Sequence, residues 1–139
     1  MSDVFLSYKR EDEARVAPLR DALNAESLSV WWDRHLPGGE LWRERLEAEL
    51  ATAACVIVVW SGNSVGEEGA FVRDEATRAM RRGVLVPVRI DDSAPPLGFG
   101  ELQALELTGW KGKHTDVRFQ DVLTAVRAKI AKQAAPAPR

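Results

Sequence analysis

A chain of 139 residues with 45% hydrophobic and 29% charged side chains has the make-up of one folded domain, which excludes disordered and fibrous readings. Nineteen basic against twenty-one acidic side chains give a net charge of −2, so no footprint for nucleic acid or an anionic membrane surface is expected. The lone Cys55 cannot form an intrachain disulfide, His35 and His114 make no zinc set, and no signal peptide or ~18-residue apolar span is present, so a cytoplasmic protein with no metal site is expected.

Asp3 to Ser7 opens the chain as a first strand, with Ser7-Tyr8-Lys9-Arg10 at its carboxyl end. Asp12 is placed to cap the following helix, in which Val16, Leu19 and Leu23 recur at helical spacing and Pro18 is expected to bend or delay the turn. Leu28 to Trp32 reads as the second strand and Asp33 to Gly39 as a loop punctuated by proline and glycine. Trp42, Leu46 and Leu50 then repeat every four residues on a second helix. Cys55 to Val59, five consecutive strongly apolar residues rich in β-branched side chains, fit a strand covered on both faces.

Ser61 to Gly69 has the glycine and small polar content of a mobile loop. A third helix spans about Ala70 to Arg82, with Val72, Ala76, Ala79 and Met80 inward, Arg73, Arg78, Arg81 and Arg82 solvated, and Glu75 between these faces. Asp74 and Arg78 read as a surface ion pair on it. Val84 to Ile90 is a fourth strand despite Pro87, which lacks a ladder donor and argues for an edge or bulge. Asp91 to Gly100 is a connection, Leu102 to Leu107 a weak fifth strand, and Phe119, Val122, Leu123, Val126 and Ile130 mark a closing helix. Residues 1–132 are expected to form the domain, and residues 133–139 a linker-like tail leading to a further domain.

Alternating strands and helices predict an α/β fold: a flavodoxin-like five-stranded parallel sheet of order 2-1-3-4-5 with helices on both faces. Ligands of such sheets bind beyond the carboxyl ends of the strands, where Ser7 to Arg10 should meet the stretch from Ser61. No aspartate ends the third strand, as a phosphoryl-accepting receiver requires, and the first turn has no glycines to admit phosphates. Walker A and Gly-x-Ser-x-Gly patterns are absent.

Asp3-Val-Phe-Leu-Ser-Tyr8, Trp32-Asp33 followed by Leu-Pro-Gly-Gly, Phe71-Val-x-x-Glu75 and Val86-Pro-Val88, in that order, resemble a TIR domain of bacterial type over about residues 2 to 131. The resemblance implies the flavodoxin-like fold, tolerates Pro87, and offers two kinds of work: NAD+ cleavage at the nicotinamide–ribose bond, or assembly of signalling complexes without catalysis. In enzymatic members a glutamate four residues after a tryptophan is catalytic. Glu75 takes that place, with Phe71 standing where the tryptophan is usual. Similarity to those members also puts Ser7, Lys9 and Arg10 near the nucleotide and Asp33 and Trp42 beside the loop that shapes the pocket.

The chemistry can be stated from the bond itself. Cleaving an N-glycosidic bond builds positive charge on the ribose, which a nearby carboxylate stabilises. The nicotinamide ring is cationic in NAD+, so no acid need protonate it. Phe71 and Glu75, at i and i+4, share a side of their helix. By residue type alone Glu75 reads as a solvated helix carboxylate, Lys9 and Arg10 as a solvated helix entry, and Trp31 and Trp42 as core. The expectation is an NAD+ hydrolase, with NAD+ as substrate and no cofactor, activated by self-association with other TIR domains. The alternative is a non-enzymatic TIR–TIR interaction module. Linear and cyclic ADP-ribose products both stay open.

Overall fold

The computed structural model describes residues 2–32, 40–66, 69–96, 98–99 and 103–134, with the side chains of 40–43 and 134 outside that description. Its strands are β1 (Val4–Ser7), β2 (Val30–Trp31), β3 (Cys55–Trp60), β4 (Leu85–Arg89) and β5 (Leu105–Glu106). Its helices are α1 (Glu13–Ala25), α2 (Glu40–Thr52), α3 (Ala70–Arg82) and α4 (Val117–Ala134), with a 3-10 turn at Arg10–Asp12 before α1. The five strands are all parallel and ordered β2-β1-β3-β4-β5, the expected flavodoxin-like topology. No helix joins β4 to β5 among the described residues.

Strand parity sorts the core into two layers. Val4 and Leu6 of β1, Cys55, Ile57 and Val59 of β3, and Val86 and Val88 of β4 pack against α1 and α4. Phe5 of β1, Val56, Val58 and Trp60 of β3, and Leu85 of β4 pack on the other face against Leu46 and Leu50 of α2 and Val72, Ala76 and Ala79 of α3. Every residue of β3 is fully buried, as a strand covered on both faces must be. Cys55 is one of these core residues, and burial pushes its thiol up to about 12, against a smaller opposing pull from Lys129. Trp31 is also core, stacked on Phe5 with ring centroids 5.1 Å apart.

Pro87 has a physical account in the register. Val84 O accepts from Val56 N and Ile90 N donates to Trp60 O, so even-numbered positions of β4 turn their amides toward β3. Arg89 O accepts from Leu107 N, so odd positions face β5. The absent N–H of Pro87 therefore falls on the β5 side, and β5 pairs only with Val88 and Arg89. No ladder bond is lost, and neither an edge nor a bulge is needed.

Several local expectations are corrected. β2 is two residues long rather than Leu28 to Trp32, and β5 covers only Leu105–Glu106. Pro18 lies inside a continuous α1, in its second turn. Asp12 precedes α1 but makes no capping bond with its side chain. Met80, placed inward by spacing, is 40% exposed, whereas Glu75, placed between the faces, is buried. The Asp74–Arg78 pair exists at 3.8 Å, but Arg78 also engages Glu47 of α2. Arg82 donates to Leu50 O at 2.6 Å and Ala53 O at 2.9 Å, so α3 satisfies carbonyls at the carboxyl end of α2.

Two glycines bound α3 for different reasons. Gly83 ends it with φ +74 and open space around its Cα, whereas a Cβ at Gly69 would lie 1.9 Å from Ser64 O. Gly83→Ala is expected to lower unfolding free energy by about 1 kcal/mol through backbone strain alone. Gly69→Ala, which meets a rigid carbonyl, is expected to lower it by about 3 kcal/mol. Urea unfolding of the two variants measures both, and equal midpoints would contradict this account.

Candidate functional site

The carboxyl ends of β1 and β3 lie side by side, with Ser7 opposite Val58. Parity turns Ser7 toward α3, on the same face as Phe5. There the Ser7 hydroxyl donates to Glu75 Oε1 at 2.6 Å, with both side chains buried. This contact joins residues 68 positions apart, the end of the first strand and the second turn of α3. One turn earlier, Phe71 is 38% exposed, and Lys9 Nζ lies 5.6 Å from its ring centroid. Lys9 also pairs with Glu11 at 3.3 Å.

Of the residues singled out from the sequence, Ser7, Lys9, Phe71 and Glu75 are thus brought together. Arg10 begins the 3-10 turn and is exposed. Asp33 lies outside the described residues, as does the side chain of Trp42, whose backbone belongs to α2. The chain just before residue 33 is held firmly: Tyr8 stacks on Trp32 at 5.5 Å and its hydroxyl donates to Trp32 O at 3.0 Å. Arg20 lies over the same indole at 3.9 Å.

A second group of residues at this rim was not named as a site from the sequence, which read Asp12 as a helix cap and placed only the stretch from Ser61 at the rim. Asp12 is fully buried, its Oδ2 accepting from the Ser61 hydroxyl and its Oδ1 from Asn63 Nδ2 at 2.8 Å and Arg15 Nη1 at 3.1 Å. Arg15 also reaches Asp91 Oδ2 at 3.1 Å, to which Gly62 N donates at 3.0 Å. The stretch from Ser61 to Gly66, expected to be mobile from its composition, is therefore tied to α1 and to the end of β4. The available signal was positional: Ser61, Asn63 and Asp91 are polar residues following adjacent parallel strands, where sites in such sheets are built.

A cavity of about 250 Å³ opens on the other face of the sheet, lined by Val16, Leu19, Val59, Ile90, Leu107 and Trp110 with Arg15 at its wall. Its lining is mainly apolar, and Arg15 is already engaged by Asp12 and Asp91. The cluster of Ser7, Lys9, Phe71 and Glu75 makes the better candidate for polar chemistry. No group of His, Cys, Asp and Glu able to hold a metal occurs among the described residues, and none of their helices is long and apolar enough to cross a membrane.

A family model described as TIR domain matches residues 4–123. No curated protein matches the sequence at a significant level. Among solved structures, the chain is similar to the TIR domain of the Toll-related receptor TRR-2 from Hydra magnipapillata, with a TM-score of 0.67 and 16% identity over 91% of this chain and 99% of that one. At that identity the likeness speaks for the fold.

Asp91 makes the rim acid-sensitive. Burial alone raises its pKa, but the Gly62 and Ser93 amides, the Ser93 hydroxyl and Arg15 outweigh burial and hold it at about 2, below its ordinary 3.8. A depressed carboxyl stabilises the fold above its ordinary value and loses that contribution as pH falls toward the folded one. Asp91→Asn is expected to flatten the stability profile between about pH 4 and pH 2, removing about 1 kcal/mol at neutral pH after solvent screening. Thermal unfolding against pH measures this, and parallel profiles for the two proteins would refute it.

Proposed function

Since this chain belongs to the TIR domain family, we propose that it is an NAD+ hydrolase that splits the nicotinamide–ribose bond and is activated by self-association. The observation that carries the reading is the buried contact between Ser7 and Glu75, 2.6 Å long, beneath a half-exposed aromatic ring and beside a lysine at the carboxyl rim. A carboxyl at the foot of that cluster suits a sugar that becomes cationic, and the ring of Phe71 suits the flat face of a base.

In the reaction, the bond from ribose C1′ to the nicotinamide nitrogen breaks and its electron pair neutralises the pyridinium, releasing neutral nicotinamide. The Glu75 carboxylate stabilises the charge left on the ribose. Water adds its oxygen to C1′ and loses a proton to give ADP-ribose, and a ring nitrogen of the adenine in place of water gives a cyclic variant. The Ser7 hydroxyl holds the carboxyl in one rotamer, so that less reorganisation is needed as charge develops. Lys9 and Arg10 serve the pyrophosphate.

Self-association enters through the burial of Glu75. A carboxyl only 4% exposed must be uncovered before a sugar can reach it, and contacts between TIR domains supply free energy for that rearrangement. The same burial favours a second reading, a TIR–TIR interaction module in which Ser7–Glu75 is a strut between β1 and α3.

One assay separates the two. Concentrated, assembled protein incubated with NAD+ is expected to release nicotinamide, and Glu75→Ala is expected to lower the rate by about 100-fold or more. Phe71→Trp is expected to keep or raise the rate, because the aromatic face is retained and an indole donor added. No release by the wild type under assembled conditions would sink the enzymatic reading. Equal release by Glu75→Ala would move the catalytic role to another residue.

A further inference from the structure

We propose that Asp12 is a positioning residue for the Glu75 site, acting through Ser61, Ser64 and Gly69 on the first turns of α3. The inference rests on the reading of that site as one that cleaves NAD+.

A fully buried carboxyl persists only where its oxygens are hydrogen-bonded, and Asp12, at the start of α1, caps no backbone amide there: within α1 its Oδ1 accepts only from the Arg15 side chain, at 3.1 Å. Its other partners, Ser61 and Asn63, lie about fifty residues on, in the turn after β3. The Ser61 hydroxyl, donating to Asp12 Oδ2, accepts from the Asn63 and Ser64 amides, each at 3.2 Å. The Ser64 hydroxyl accepts from Ser61 N and donates to Val59 O, both at 2.8 Å. The backbone of Ser61 to Ser64 is thus wound around two buried hydroxyls, with Asp12 as the anchor outside the turn.

That turn is in rigid contact with the start of α3. The backbone at Gly69 approaches Ser64 so closely that a Cβ would meet Ser64 O at 1.9 Å, and α3 begins at the next residue. Phe71 and Glu75 follow within the first two turns. A shift of the Ser61–Ser64 turn therefore moves the amino end of α3, and with it the two side chains that face the ribose and the base. Misplacement by about 1 Å is enough to reduce a rate by up to ~100-fold.

The experiment compares wild type, Ser61→Ala, Asp12→Asn and Asn63→Ala by steady-state nicotinamide release and by peptide-level hydrogen exchange. Positioning predicts that Ser61→Ala and Asp12→Asn lower kcat about tenfold per folded molecule with KM changed less than about twofold. It also predicts faster exchange confined to residues 61–75, while β3 and α4 stay protected. Asn63→Ala, which removes a single bond at a more exposed side chain, shows the same pattern in weaker form and serves if the buried variants fail to fold. Unchanged kcat per folded molecule, or exchange that rises uniformly over the domain, overturns the proposal. If the wild type releases no nicotinamide, the NAD+ reading fails by itself. The exchange arm then still decides whether Asp12 holds the start of α3.

Discussion

A six-residue strand with no solvent exposure can exist only if both of its faces are covered and both of its edges paired, and β3 meets all of these demands. Coverage on both faces requires helices on each side of the sheet, and parallel neighbours require crossovers long enough to supply those helices. The order in which β1 and β4 flank β3 then leaves the carboxyl ends of β1 and β3 adjacent. Everything proposed for this domain is built at that rim.

Two polar contacts convert the rim from an assembly of loops into a defined arrangement. Ser7–Glu75 ties β1 to α3, and Asp12–Ser61 ties the entry of α1 to the turn after β3. Both are buried, so both sets of partners are held by the desolvation each would suffer alone as well as by the bonds themselves. They lie on the path from the end of the first strand to the helix bearing the candidate acid. Arg15 and Asp91 extend the second contact to the end of β4. Three of the strand ends that frame the rim are therefore mechanically coupled, which is a useful property in a domain whose proposed activity responds to association with its own kind.

The face of the sheet that carries the cavity is not the face that carries Glu75. Size and apolar lining suit a nonpolar guest, but cleavage of a glycosidic bond calls for a carboxyl, a polar anchor and an aromatic wall. Among the described residues, only the α3 side offers these together. Membership of the TIR family is consistent with either an enzyme or an assembly module, and under the proposed reading the enzyme is the case in which the buried Glu75 is uncovered when domains associate.

The sequence by itself determined the secondary elements and their order, because periodicity of apolar side chains is a local property: the run from Cys55, the spacing in α3 and that in α4 are each read from neighbouring residues. It also placed Phe71 and Glu75 on one side of a helix, since that follows from four-residue spacing. It did not determine that Glu75 is buried and Met80 exposed, because a helical wheel gives a direction but not what stands opposite it. Asp12 looked like a helix cap for a similar reason. Aspartate before a helix caps it unless a distant donor offers more, and Ser61 becomes such a donor only when the chain has folded. The harmlessness of Pro87 depends likewise on which neighbour its missing N–H faces, a matter of sheet register. Local chemistry chose the elements; desolvation and pairing between residues far apart in the chain decided which polar groups meet.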